Sequence, residues 1–155
     1  MKATIQRVSK ASVAVNNAIV SSIDNGLVAL IGISSDDTDA DLDYIARKLL
    51  NIRIWPSTAS SGGDQKAWDT SVKDNGYEIL CVSQFTLCGR LKGNKPDFSK
   101  AMPPLQAKAM YEKLLDRLKK EYDADKIKDG VFGALMEVSI QNSGPVTITL
   151  DSSKD

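Results

Sequence analysis

The chain has 155 residues, 20 Lys and Arg against 20 Asp and Glu, and no histidine. That length suits one domain with its own core, and the cancelled charge excludes a uniformly basic surface, so any nucleic-acid site is local. Without histidine, Ser-His-Asp and Cys-His catalysis, histidine-ligated zinc and histidine general-base chemistry are excluded.

Met1 to Arg7 holds no apolar run of signal length, and no stretch is apolar for long enough to span a bilayer, which predicts a cytoplasmic protein with no membrane partner. Residues 3–15 read as a strand region, and Asn16-Asn17 before Ala18 to Ile23 predicts a hairpin turning on asparagines, which tolerate positive φ. Asp24-Asn25-Gly26 is a second turn signal. Leu27 to Ile33 is a short, unbroken apolar run, suited to a strand buried on both faces.

Five aspartates follow within Ser34 to Asp43. In an EF-hand register Leu42 falls where glycine is required and Lys48 where a bidentate glutamate is required, so calcium is rejected. A helix start fits instead: Thr38-x-x-Asp41 resembles a capping box, and Leu42, Ile45, Leu49 and Ile52 recur at helical spacing.

Arg53-Ile-Trp55 predicts a short strand stopped by Pro56, and the composition of residues 57–63 predicts a mobile surface loop. Trp68 to Val72 and Tyr77 to Leu87 flank Asp74-Asn75-Gly76 and predict a second hairpin. On such a strand Cys81 and Cys88 point to opposite faces, against a disulfide between them. Pro103-Pro104 opens a helix with an apolar stripe of Ala107, Met110, Tyr111, Leu114, Leu118 and Tyr122, and with Lys119 and Lys120 at its negative end. Met136 to Ile140 and Val146 to Leu150 alternate as strands, and Pro145, which has no N–H, stops pairing between them. The expected fold is α+β, with antiparallel sheets forming a barrel-like core packed by two main helices and residues 1–155 as a single domain.

Three segments carry chemistry that packing does not require. Ser83-Gln84-Phe85-Thr86 sets polar side chains at the end of an apolar strand, where they serve as caps or as a site. The loop from Gly89 to Lys100 sets Arg90, Lys92, Lys95 and Lys100 against the single Asp97; it reads equally as a solvated loop or as a phosphate-gripping one with Phe98 available for stacking. The third is Asn142-Ser-Gly-Pro-Val-Thr147. No metal-ligand cluster is evident, and no cofactor is expected.

With Gln6-Arg7-Val8 and Phe132-Gly133-Ala134, these segments occur in an order and at distances that resemble the D-aminoacyl-tRNA deacylases over nearly the whole chain. Ser143 and Cys88-Gly89 depart from the commoner pattern, beside the motifs rather than on them. The resemblance implies a homodimer with two active sites at the subunit interface. Ser83 to Thr86 of one subunit would line the pocket, and Gly144-Pro145, joined by a cis bond in that family, would enter from the other.

The implied substrate is a D-amino acid esterified to the terminal ribose of tRNA. Such an ester is already reactive, so positioning, backbone oxyanion donors around Ser83 to Thr86 and the tRNA 2′-hydroxyl suffice. Thr86 is the alternative nucleophile, but no base accompanies it in the motif. Carbonyls of Gly144 and Pro145 would hold the substrate ammonium and exclude an L side chain, so side-chain specificity would be broad and Gly-tRNA would be accepted. Arg7 reads either as a surface cation or as a brace for the Gly-Pro loop, with Asn142 and Thr147 as supports. Phe132 reads as core or as a stacking partner of the terminal adenine, and Arg90, Lys92 and Lys95 as tRNA contacts. The alternative function is a nucleic-acid-binding dimer without hydrolase activity.

Overall fold

The structure, a computed structural model, describes residues 1–57 and 64–154. The surface loop expected over residues 57–63 lies, apart from Ser57, outside the described residues.

The first strand, β1 (Lys2–Val15), turns at Asn16 and Asn17, with φ of 50° and 63°, into β2 (Ala18–Ile23), as the asparagine pair predicts. The next strand, β3 (Gly26–Gly32), pairs antiparallel with the first half of β1, and β2 with the second half. Its expected burial on both faces is observed. Leu27, Ala29 and Ile31 enter a cluster beneath the helices, and Val28 enters a second cluster with Val8, Val13, Leu80 and Val82 inside the curl of the sheet.

Helix α1 (Asp39–Asn51) begins at Thr38, whose N–H and hydroxyl both donate to Asp41 Oδ2 at 2.8 Å. Leu42, Ile45 and Leu49 are fully buried, and each such side chain contributes about 1.5–3 kcal/mol by leaving water. Helix α3 (Pro104–Glu121) packs its Tyr111, Leu114 and Leu118 into the same cluster.

Three local expectations change. Arg53–Trp55 forms no strand; Trp55 makes an isolated bridge to Thr70. The hairpin expected around Asp74-Asn75-Gly76 is instead a helical turn, α2 (Val72–Asn75). Ser71 N–H donates to Asp74 Oδ2 at 2.8 Å while Asp74 N–H donates to Ser71 Oγ at 3.2 Å, and Gly76 ends the turn at φ 65°. An Asn-Gly step closes a helix through a left-handed glycine as well as it turns a hairpin, and the Ser71–Asp74 pair decides which occurs. The following strand, β4 (Glu78–Ser83), consequently runs parallel to β3. It stops at Ser83 and gives way to a 3-10 turn, Phe85–Cys88, so Cys88 is not on a strand with Cys81; both thiols are free and buried.

After a small hairpin, β5 (Arg90–Lys92) and β6 (Lys95–Asp97), and helix α3, the short strand β7 (Ile127–Asp129) adds parallel to β4. The last strand, β8 (Glu137–Asp151), pairs antiparallel along most of β1. The result is a nearly closed, barrel-like α+β sheet packed by helices, mostly antiparallel but with the β3–β4–β7 section parallel. Among the described residues no helix is long and apolar enough to cross a membrane.

Candidate active site

Where β4 ends, the chain must leave the sheet over β3. Gly32 permits this: a Cβ there would meet Leu87 Cβ at 2.8 Å and the Gln84 carbonyl at 3.1 Å. The Gln84 N–H donates to the Ile31 carbonyl at 2.7 Å, which fixes the start of the 3-10 turn. That N–H is therefore unavailable as an oxyanion donor. Phe85 and Thr86 open the turn, and the first N–H groups of a helical turn have no acceptor within it.

Ser83, Gln84 and Phe85 line one side of a cleft of about 660 Å³, and Phe132 to Met136 line another. Its floor is apolar, with Ile31, Val82 and Met102. No ionisable side chain lines it; Ser83 and Gln84 supply its only polar side chains among the described residues. Thr86 lies beside the cleft rather than in it, exposed, its Oγ1 accepting a hydrogen bond from Gln84 Nε2 at 2.5 Å. Among the described residues no group of three or more Cys, Asp or Glu side chains is placed to hold a metal.

Phe132 faces both the core and the cleft. Its ring packs on Tyr111, with centroids 5.6 Å apart, and it also forms part of the cleft wall. At the mouth, Phe85 is 57% exposed and meets Phe98 edge to face at 5.1 Å. Phe98 ties the basic hairpin to the 3-10 turn: a Cβ on Gly89 would touch its ring at 2.8 Å.

In that hairpin the positive charges are unequal. Arg90 Nε donates to Asp97 Oδ2 at 2.8 Å and Lys92 Nζ lies 3.5 Å from the same oxygen. The Arg90 guanidinium, then the Ser99 hydroxyl, hold the Asp97 carboxyl down at about 2. Lys95 and Lys100 make no ion pair among the described residues, so they carry the uncompensated charge.

Gly144 and Pro145 stand apart from this cleft. Between the pairs Gln6–Thr147 and Val8–Asn142, β1 contains one residue, Arg7, and β8 contains four, 143–146, so the strand loops out and then resumes pairing. The Gly144–Pro145 bond is cis, and both residues are exposed. Beneath the loop, Asn142 Oδ1 accepts the Val146 N–H at 2.9 Å, and Asn142 Nδ2 donates to Thr147 Oγ1 at 2.9 Å. Arg7 braces it from the other side, with Nε donating to the Ser143 carbonyl at 3.1 Å and Nη1 to the Ile54 carbonyl at 2.5 Å.

The model of the family described as D-Tyr-tRNA(Tyr) deacylase matches residues 4–151. This chain belongs to that family. The D-aminoacyl-tRNA deacylase of Drosophila melanogaster is 52% identical over 152 residues, covering 98% of this chain and 92% of the relative. That of Dictyostelium discoideum is 51% identical over 152 residues, covering 98% of both chains. D-aminoacyl-tRNA deacylase 1 of Homo sapiens is 51% identical, covering 98% of this chain and 70% of the relative. A solved structure described as c-Myc DNA Unwinding Element Binding Protein superposes with a TM-score of 0.89 at 52% identity, over 97% of this chain and 98% of that one. A second, described as a probable eukaryotic D-amino acid tRNA deacylase, is only 18% identical but shares the deacylase-family fold, with a TM-score of 0.80 over 96% and 97% of the two chains.

Two residues of the site carry no motif signal. Gly32 reads in the sequence as part of an apolar strand, and its role emerges only when the 3-10 turn lies on top of it. Asp129 belongs to no motif, yet Tyr111 behind Phe132 donates to it.

Proposed function

We propose that this chain is a cytoplasmic proofreading hydrolase that cleaves the ester of D-aminoacyl-tRNA, and of Gly-tRNA, while leaving L-aminoacyl-tRNA intact. It acts as a homodimer, with each cleft completed by Gly144 and Pro145 of the partner subunit. One observation carries the reading: a cleft without ionisable side chains in one part of the chain, and an exposed, firmly braced Gly-Pro loop that does not line it in another. Each feature is incomplete alone. Membership of the deacylase family supplies the reaction.

The cleft's lack of an acid or base suits a reaction that needs neither from the protein. An aminoacyl ester has a good leaving group, and the adjacent 2′-hydroxyl of the tRNA assists attack; the protein holds the ester still and excludes bulk water. The Gln84 N–H is committed to Ile31, whereas those of Phe85 and Thr86 stand at the open start of the 3-10 turn, which makes these two the oxyanion donors of this reading.

Selection of chirality falls to the partner's loop. Its carbonyls accept hydrogen bonds from the substrate ammonium, the ester is held against Ser83 to Phe85, and an L side chain would then point into the loop. A D side chain points away, and glycine has nothing to exclude. Basic residues of the β5–β6 hairpin contact phosphates near the acceptor end. A second reading, a nucleic-acid-binding dimer without hydrolase activity, is favoured by the name of the 0.89 TM-score neighbour.

Single-turnover assays with D-Tyr-, L-Tyr- and Gly-tRNA separate these readings. Release of D-Tyr and Gly with L-Tyr-tRNA spared is expected. Binding of all three with no release of amino acid would establish the second reading, and rapid cleavage of L-Tyr-tRNA would overturn selection by exclusion.

A further inference from the structure

We propose that Asp129 and Tyr111 form a positioning pair that fixes the Phe132 wall of the cleft and thereby sets how tightly the aminoacylated tRNA end is held. The inference rests on the deacylase reading of the cleft and concerns two residues that touch neither the cleft nor the reacting ester.

Tyr111 lies on α3 and is 1% exposed, and its hydroxyl donates to Asp129 Oδ1 at 2.5 Å. Asp129 closes β7 and begins the segment that becomes the cleft wall. Burial raises the Asp129 carboxyl above its usual range, against the opposing hydrogen bond from Tyr111. Such a half-buried acceptor is costly to leave without a donor, so the pair is held together. The aromatic ring of Tyr111 is thereby fixed against Phe132 at a centroid distance of 5.6 Å and a tilt of 45°.

The backbone of the segment is held by few hydrogen bonds among the described residues. The Gly130 N–H donates to the Cys81 carbonyl at 3.2 Å, and the Val131 N–H reaches only the weak acceptor Met136 Sδ at 3.4 Å. The turn beyond, closed by the Ala134 N–H on the Val131 carbonyl at 3.1 Å, passes through Gly133 at φ 76°, where a Cβ would meet no atom within 4 Å. Leu135 is 94% exposed. Met136 packs the far end of the segment against the cluster inside the sheet, while Phe132 is the side chain by which it grips the cluster beneath the helices, where it meets Tyr111.

Kinetics on D-Tyr-tRNA with Tyr111→Phe, Asp129→Ala and Asp129→Asn test the assignment. Tyr111→Phe and Asp129→Ala should raise KM about tenfold with kcat changed less than about threefold, the split expected when binding rather than chemistry is lost. Asp129→Asn keeps an oxygen acceptor for the Tyr111 hydroxyl and should restore KM to near the parent value. In a Phe132→Leu background, Tyr111→Phe should add nothing further, because it acts through that ring. A role in stability alone would lower the melting temperature and the active fraction with KM unchanged, and that result, or full additivity with Phe132→Leu, would overturn the proposal. A parent protein that cleaves no aminoacyl-tRNA would overturn the functional reading and this assignment together.

Discussion

Arg7 holds Ser143: from the one position of β1 that faces the looped-out segment of β8, its Nε donates to the Ser143 carbonyl at 3.1 Å while Nη1 donates to the Ile54 carbonyl at 2.5 Å. The guanidinium joins the Gly-Pro loop to the body of the chain and, among the described residues, makes no hydrogen bond to the chain's own cleft lining. If the loop selects chirality in the partner's cleft, Arg7→Ala should damage selection more than turnover. The ratio of D-Tyr-tRNA to L-Tyr-tRNA cleavage should fall about tenfold or more, and unfolding free energy should fall by about 1.5–3 kcal/mol for the lost charged hydrogen bonds. Loss of stability with the ratio unchanged would remove the loop from selection.

Asp41 ties the start of α1 to the end of the chain. Its Oδ1 accepts from the Ser152 hydroxyl at 2.7 Å and its Oδ2 from Thr38 at 2.8 Å. These bonds, Ser152 first, lower its carboxyl from 3.8 to about 2. A carboxyl lowered in the folded state stabilises the fold fully above its unfolded value and ceases to do so once protonated. That contribution is therefore complete above 3.8 and disappears as pH falls through about 2. Asp97 titrates over the same window, so Asp41→Asn should reduce the acid sensitivity without abolishing it. Urea midpoints at neutral and acid pH measure this: the variant should be weaker at neutral pH and lose less on acidification. A loss equal to that of the parent would count against it.

The β5–β6 hairpin offers a test of where the tRNA phosphates lie. Asp97→Asn releases Arg90 and Lys92 and removes one negative charge, whereas Lys95→Ala removes an unpaired positive charge. Filter binding of tRNA across a salt series should show a steeper dependence for Asp97→Asn and, for Lys95→Ala, a slope shallower by about 0.7–0.9. Slopes unchanged in both variants would place the phosphates elsewhere.

Features that depend on spacing within one segment are legible in the sequence. The Asn16-Asn17 turn, the doubly buried Leu27 to Ile31 run, the Thr38–Asp41 start of α1 and the stripe of α3 all follow from local rules. The parallel β3–β4 pair is not legible there, because Asn75-Gly76 suits a hairpin and a helix end alike and the choice rests on the side chains of Ser71 and Asp74. At the site, motifs locate Ser83 to Phe85 and Gly144-Pro145, but that these lie on separate surfaces depends on β8 looping outward opposite Arg7. Asp129 and Gly32 act through neighbours distant in sequence, and no local pattern marks them.

Thr86 decides between the two chemistries. Its hydroxyl is exposed beside the cleft, and its hydrogen-bond partner is the Gln84 side-chain amide, whose Nε2 donates to Thr86 Oγ1. An amide donor cannot take a proton from the threonine, and among the described residues no ionisable side chain lines the cleft to do so. An unactivated hydroxyl is a poor nucleophile, whereas the tRNA 2′-hydroxyl arrives attached next to the ester it assists. Thr86→Ala should therefore keep its single-turnover rate on D-Tyr-tRNA within about tenfold, less than about 1.4 kcal/mol of barrier. A substrate ending in 2′-deoxyadenosine should instead slow the unmodified protein by several orders of magnitude. The reverse pattern, with Thr86→Ala inactive at unchanged affinity and the deoxy substrate cleaved normally, would make Thr86 the nucleophile after all.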